Sequence, residues 1–172
     1  MWGLAYKHGF SSGHILEPSV GIGRFLRYLD FTQSTVDAYE WAGEGNTISF
    51  DICRACFPKA NVTNDYFESM FYDGNSRVGS RNKSYDLIIG NPPYGKFDGF
   101  YAGREKKHTL ATTYDGYFLE KGIQLLNENG LLVFIIPSTF LDNDNAYSDL
   151  KERIHSQANM VDAYRMPDHA GR

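Results

Sequence analysis

Two unbroken apolar runs constrain this chain most: Leu87, Ile88 and Ile89 inside residues 85–90, and residues 131–136. A strand with one wet face alternates apolar and polar side chains, whereas a strand apolar at every position suits a parallel sheet covered on both faces. Parallel strands require crossover connections, usually helical, and the intervening sequence is patterned to supply them. Residues 14–17 read as a strand, followed by a glycine-containing turn and a short helix over 24–29. Residues 37–41 read as a second strand, and 47–57 as a helix carrying Ile48, Ile52, Ala55 and Cys56 on one face and stopped by Pro58. A short third strand is expected over 61–64, a turn over 66–70 and a surface loop over 73–83. After the first apolar run come a long loop over 95–113 and an amphipathic helix over 114–126 that residues 127–130 should end. A helix over 147–157 and a last strand over 160–164 complete the pattern. The alternation predicts an α/β, three-layer, Rossmann-like sandwich with a mostly parallel central sheet, one domain over 1–172. Ligands of such sheets sit beyond the carboxyl ends of the strands.

Charge and cysteine usage narrow the functions open to this fold. The net charge is −4, which argues against a surface that grips nucleic acid unaided, because phosphate neutralisation needs clustered Lys and Arg. Any such affinity must be local or come from another domain. The nearest basic patch is Arg104, Lys106, Lys107 and His108, for which a solvated loop is the plainer account. No apolar stretch of membrane-spanning length and no leader is visible, so a cytoplasmic protein is expected. Cys53 and Cys56 are the only cysteines; without a second Cys or His pair at zinc spacing, two buried thiols on one helix are expected rather than a metal site.

The residues at the expected strand ends carry the chemistry. Glu17-Pro18-Ser19-Val20-Gly21-Ile22-Gly23 follows the first strand, with Gly21 and Gly23 placed where the backbone turns tightly and can approach a ligand. The third glycine of a dinucleotide fingerprint is missing. A carboxylate ahead of such a loop suits a cationic, amino-acid-like ligand such as S-adenosylmethionine, whose ammonium Glu17 would attract; an ordinary tight turn with a capping Glu17 is the alternative. Glu40 after the second strand offers acceptors for two ribose hydroxyls, and Trp41 a face for adenine. Asp65 would accept from the adenine amino group, with Tyr66 and Phe67 shaping the pocket. A surface carboxylate and a core tryptophan are the alternatives there.

The first apolar run ends in Asn91-Pro92-Pro93-Tyr94. Proline fixes the backbone and lacks an amide hydrogen, and Asn91 cannot easily stay helical before Pro92. Asn91 Oδ1 and the Pro92 carbonyl can then each accept one hydrogen of a planar amino group, directing its lone pair toward an electrophile and stabilising the charge that develops. Tyr94 supplies a face for the target base, which a duplex would have to release by flipping. A structural turn is the other account of these four residues.

With these motifs in this order, the chain resembles the class I S-adenosylmethionine-dependent methyltransferases, specifically the DNA adenine-N6 methyltransferases. The cofactor loop is similar to Glu17 to Gly23, the ribose acid to Glu40, the adenine-contacting acid to Asp65 and the catalytic motif to Asn91 to Tyr94. Residues 118–126 and 130–138 resemble the helix and strand that follow. The resemblance implies S-adenosylmethionine as cofactor, a flipped adenine of DNA as target and no metal. The motif order is gamma-like and leaves no room for a recognition domain between the two motifs. A run similar to residues 164–167 follows the last helix in large mobile-element or phage methylases, and the resemblance as a whole implies a role in restriction-modification. Val20 and the sequence after Glu40 depart from the usual pattern, and residues 2–10 are expected to be a remnant of the segment that closes over the methionine part. The fold is expected to be truncated at its C-terminal end, with DNA recognition supplied by a domain or subunit outside the chain. A protein glutamine methyltransferase and a catalytically incomplete cofactor-binding module are the competing functions.

Overall fold

In the computed structural model, residues 1–43, 45, 47–79, 84–142 and 144–167 are described, with backbone only for 144–146. The chain runs through α1 (Trp2–Lys7), β1 (Gly13–Glu17), β2 (Ser34–Tyr39), α2 (Ile48–Cys56), β3 (Asn61–Thr63), β4 (Tyr72–Asp73), β5 (Ser76–Arg77) and β6 (Tyr85–Gly90). It continues with α3 (Ala102–Glu105), α4 (Tyr114–Gln124), β7 (Leu126–Phe134), α5 (Thr139–Asp142) and α6 (Asp144–His155).

Five strands form one parallel sheet in the order β3-β2-β1-β6-β7. The expected three-layer α/β architecture is the one observed. Leu87, Ile88 and Ile89 are all fully buried, because successive side chains alternate between two apolar layers. Ile15, Leu87 and Ile89 join Trp2, Ala5 and Cys53 on one side, so α1 and α2 cover that face. Leu16, Tyr85 and Ile88 join Tyr117, Phe118 and Leu150 on the other, under α4 and α6. The chain runs outward from β1 to β3 and then crosses to β6 on the other side of β1. Between β1 and β6 lies the switch point where a crevice opens at the carboxyl edge.

Several sequence expectations are corrected. The helix expected over 24–29 is a single 3-10 turn, Leu26–Tyr28, with Leu29 already extended; Leu26 is its one buried residue, too little to hold a longer helix. In α2 the stripe expected to face the core is exposed, with Ile48 66% and Ile52 41% accessible, while Cys53 is buried and Cys56 exposed. Ser49 Oγ donates to Glu40 Oε1 at 2.8 Å and Cys53 packs beside Gly23, so these anchors set the helix rotation against its apolar stripe. Residues 127–130, expected to end α4, instead lie inside β7. The register slips between the pairs Tyr85↔Leu126 and Leu87↔Leu131, with Asn129 at φ 62°. Asn127 Nδ2 donates to Asp86 Oδ1 at 2.7 Å, which fixes this bulge. At the sheet edge, residues 131–134 of β7 are only half-buried.

The strand expected over 160–164 does not form; residues 158–167 have no regular structure. Met160, Val161 and Tyr164 stay exposed, and the segment is tied to the end of α1 by Lys7 Nζ to Asp162 Oδ2 at 2.7 Å, by His8 Nε2 to the same oxygen at 3.0 Å and by Lys7 over the Tyr164 ring. The expected loop over 73–83 contains the second strand of a hairpin, β4 with β5; its residues 80–83 lie outside the described residues. The long loop over 95–113 is closed at its neck by a Lys96↔Thr113 bridge, and α3 sits within it.

Candidate active site

At the switch point the two sequence motifs touch. A Cβ on Gly90, the last residue of β6, would lie 3.5 Å from Pro18 Cδ, an ordinary contact. Ser19 Oγ donates to the Asn91 carbonyl at 3.1 Å. The turn after β1 thus holds the backbone of the segment after β6.

Glu17 closes β1 at 1% exposure, and its Oε2 has no hydrogen-bond partner. Burial, and after it the charge of Glu40, push its carboxyl well above the usual carboxylate range. A buried acceptor without a donor is a costly arrangement, and it is what an ammonium group would relieve. Glu40 is committed differently: Oε2 accepts from Gly21 N at 2.8 Å and Oε1 from Ser49 Oγ at 2.8 Å. Each of its oxygens still has a lone pair for a hydroxyl.

The two loop glycines do separate jobs. Gly21, at φ 55°, has open space where a side chain would project, so a ligand can come close to the backbone. Gly23, at φ 82°, could not carry a Cβ, which would stand 2.4 Å from the Phe57 ring. Its absent side chain lets α2 approach the sheet. Trp2 Nε1 donates to Phe25 O at 2.7 Å, which ties α1 to the chain just beyond this turn.

Beyond β2 and β3, Trp41 is 42% exposed and stacks on Tyr66 with centroids 4.5 Å apart. A third ring between them would need about 7 Å, two van der Waals contacts of about 3.5 Å, so the outer face of Trp41 is the open one. Asp65 Oδ1 accepts from Tyr66 N at 2.7 Å. Phe67 points away from this wall; its ring is 2% exposed and packs 4.7 Å from Phe118 in the core.

After β6, Asn91, Pro93 and Tyr94 are exposed and Pro92 is buried. The Tyr94 hydroxyl donates to Asn91 Oδ1, and its ring stays half-exposed. Burial, and then the nearby Asp115, raise the Tyr94 pKa, so the hydroxyl keeps its proton and remains a donor. Asp115 lies 2% exposed at the start of α4, with Oδ2 unpartnered. Sequence reasoning passed over it because Thr113 Oγ1 caps that helix through Gly116 N, and an acid in a first helical turn is ordinary.

A buried polar network beneath the 95–113 segment was also missed. Glu105 and Lys121 are both 0% exposed. Tyr72 OH donates to Glu105 Oε1 at 2.7 Å, Arg77 Nε donates to it at 3.0 Å, and Lys121 Nζ lies 3.3 Å from Oε2 without hydrogen-bond geometry. Burial alone would raise the Glu105 carboxyl; the donors and the lysine outweigh it and hold it below the usual range. A partial signal did exist: Lys121 falls four residues after Tyr117, in a helix that buries every residue from 115 to 122.

Residues 28–169 match the family described as Eco57I restriction-modification methylase. The chain is 25% identical to the "Defense against restriction protein B" of Escherichia phage P1 over 97% of its own length and 7% of that protein's. It is 30% identical to the type II methyltransferase M.TthHB8I of Thermus thermophilus, covering 77% of the chain and 31% of that enzyme. It therefore spans less than a third of either relative. A crystal structure of a methyltransferase from Pyrococcus furiosus superposes with a TM-score of 0.54 at 17% identity, over 98% of this chain and 76% of that one, which shows a shared fold. Among the described residues no helix is long and apolar enough to cross a membrane.

Proposed function

Because the chain belongs to the Eco57I restriction-modification methylase family, we propose that it transfers a methyl group from S-adenosylmethionine to the N6 amino group of an adenine in DNA. One juxtaposition carries this reading: the Asn91–Tyr94 segment is joined through Ser19 to a turn whose Glu17 is buried without a donor. The donor set fits the cofactor. Glu17 and the open approach at Gly21 suit its amino-acid end, Glu40 its ribose, and Asp65 with the exposed face of Trp41 its adenine. When bound there, S-adenosylmethionine supplies an electrophilic methyl group on a cationic sulfur.

The remaining work falls to this chain's own residues. The lone pair of an adenine amino group is delocalised into the ring, so the nitrogen must be held where that lone pair can attack. Asn91 Oδ1 and the Pro92 carbonyl each accept one amino hydrogen and stabilise the positive charge that grows on nitrogen. The base leaves the duplex stack to get there, and stacking on Tyr94 returns about 1–3 kcal/mol of that cost. A target-recognition element outside residues 1–172 completes the proposal.

The test is transfer of labelled methyl groups to adenine-containing DNA, followed by digestion to nucleosides. N6-methyl-2′-deoxyadenosine is expected, and Asn91→Ala should abolish it while leaving cofactor affinity within about threefold, since the side chain acts on the amino group. Label on a glutamine-containing peptide instead of DNA would overturn the substrate. Absence of cofactor binding at millimolar concentration would overturn the enzymatic reading altogether.

A further inference from the structure

The segment that leaves the active site at Gly95 carries a cluster of positive charge in an acidic chain. Between residues 95 and 108 lie Lys96, Arg104, Lys106 and Lys107, while Asp98 is the one exposed carboxylate there, because Glu105 is buried. The chain as a whole has net charge −4. Lys106 and Lys107 are exposed and make no ion pair among the described residues. The segment is not a loose loop. Its neck is closed by Phe97 N to Thr112 O at 2.8 Å and Tyr114 N to Gly95 O at 2.9 Å. Glu105 anchors α3 from below through Tyr72, Arg77 and Lys121, and Lys121 Nζ also donates to His108 O at 2.5 Å.

With the acid of α3 turned inward, its basic neighbours are presented outward. Aromatic rings accompany them. Phe100 is 63% exposed and nearly parallel to Tyr66, with centroids 6.1 Å apart and 7° between planes; Tyr66 in turn stacks on Trp41. The Arg104 guanidinium lies 5.4 Å from the Phe100 centroid and donates to Asn75 Oδ1 at 2.9 Å. An exposed ring beside Arg104 and two exposed lysines, in the segment that follows Asn91–Tyr94 directly in the chain, combines the two features that bind a nucleic-acid strand without reading its sequence.

We infer that Phe100, Arg104, Lys106 and Lys107 form a docking surface for the DNA strand next to the extruded base, Phe100 stacking on a neighbouring base and the cations meeting its phosphates. This rests on the methyltransferase reading above and adds that the catalytic unit has strand affinity of its own.

The test is fluorescence anisotropy of the chain with a labelled single-stranded, adenine-containing 20-mer across a salt series. Lys106→Ala with Lys107→Ala should lower the slope of log affinity against log salt by about 1.4, about 0.7 for each phosphate contact. Phe100→Ala should leave the slope unchanged and weaken binding by roughly 5- to 150-fold, the equivalent of about 1–3 kcal/mol of stacking. Lys59→Ala, before the amino end of β3 and so at the other end of the strand from Tyr66 and Phe100, serves as control and should change neither. No binding by the parent chain, or binding indifferent to both variants, overturns the surface. Displacement by polyglutamate of equal charge at equal concentration overturns DNA as the occupant. A parent chain that methylates DNA while its binding ignores these residues defeats the surface and spares the methyltransferase reading. Strand binding that follows these residues without any methyl transfer does the reverse.

Discussion

Glu17 and Glu105 are equally withdrawn from water, at 1% and 0% exposure, and the chain treats them in opposite ways. Glu105 meets Tyr72, Arg77 and Lys121, and its carboxyl is held low. Glu17 has an oxygen without a donor and a second acid, Glu40, close enough to push it up. A buried charge met by counter-charges, as Glu105 is although its Oε2 accepts no hydrogen bond, is a fastening; one with neither donor nor counter-charge marks where something else belongs. The same contrast separates the two sides of the crevice, with the turn after β1 left open and the segment after β6 locked down.

The largest effect that can break this comparison comes from Lys121→Met. Removing one of the two cations that meet Glu105, with Arg77 still in place, should cost about 3 kcal/mol in a urea titration, and adding Glu105→Gln should recover most of it. A single-variant loss below about 1 kcal/mol would mean that the network fastens nothing.

Glu17→Gln should do the opposite. Calorimetry should show S-adenosylmethionine affinity lowered by about 10- to 100-fold, the loss of one charge-assisted contact of about 1.5–3 kcal/mol. Thermal stability without cofactor should hold or rise, because a buried repulsion with Glu40 is removed. A drop in stability equal to that of Lys121→Met would erase the distinction.

The finest test is pH. Glu68, 2% exposed with Oε1 unpartnered, has its carboxyl pushed up to about 7, first by burial and then by Glu105 and Asp65. Between its unfolded value and about 7 the folded chain binds more protons than the unfolded one, so stability should fall as pH rises through that window. The ordinary Asp or Glu with a depressed value gives the reverse slope. Melting temperature against pH should therefore fall from about pH 5 to pH 7, and Glu68→Gln should flatten part of that fall, the raised Glu17 contributing the same sign.

The sheet was legible where a strand has an apolar centre buried on both faces. β1 and β6 sit where their sequences place them because burial on both faces leaves no other home for Leu16, Leu87 or Ile89. Elements whose identity depends on a partner were not. Residues 160–164 have strand composition, yet no ladder receives them, and hydrogen-bond partners are not written in a local pattern. The rotation of α2 was misread because one hydroxyl, Ser49, and one missing methyl, at Gly23, outweigh two isoleucines. In the site, Glu17, Glu40 and Asn91 were visible as residue types at strand ends. Asp115, Glu105 and Lys121 were hidden because burial of a charged residue is decided by neighbours distant in sequence.

The hydrogen bond from Tyr94 to Asn91 Oδ1 has one more consequence. The tyrosine hydroxyl is a placeholder: it keeps the amide oxygen satisfied and aimed while no guest is present. Arrival of an amino group is thus an exchange of one donor for another, which leaves the total of hydrogen bonds almost unchanged and makes their net yield small. Affinity at this spot must come from stacking, and the oxygen's contribution is reserved for the moment when its guest becomes positively charged. Tyr94→Phe should leave the stacking face intact while letting Asn91 turn, so a tenfold or smaller loss in kcat with unchanged KM would report the placeholder, whereas Tyr94→Ala should raise KM as well.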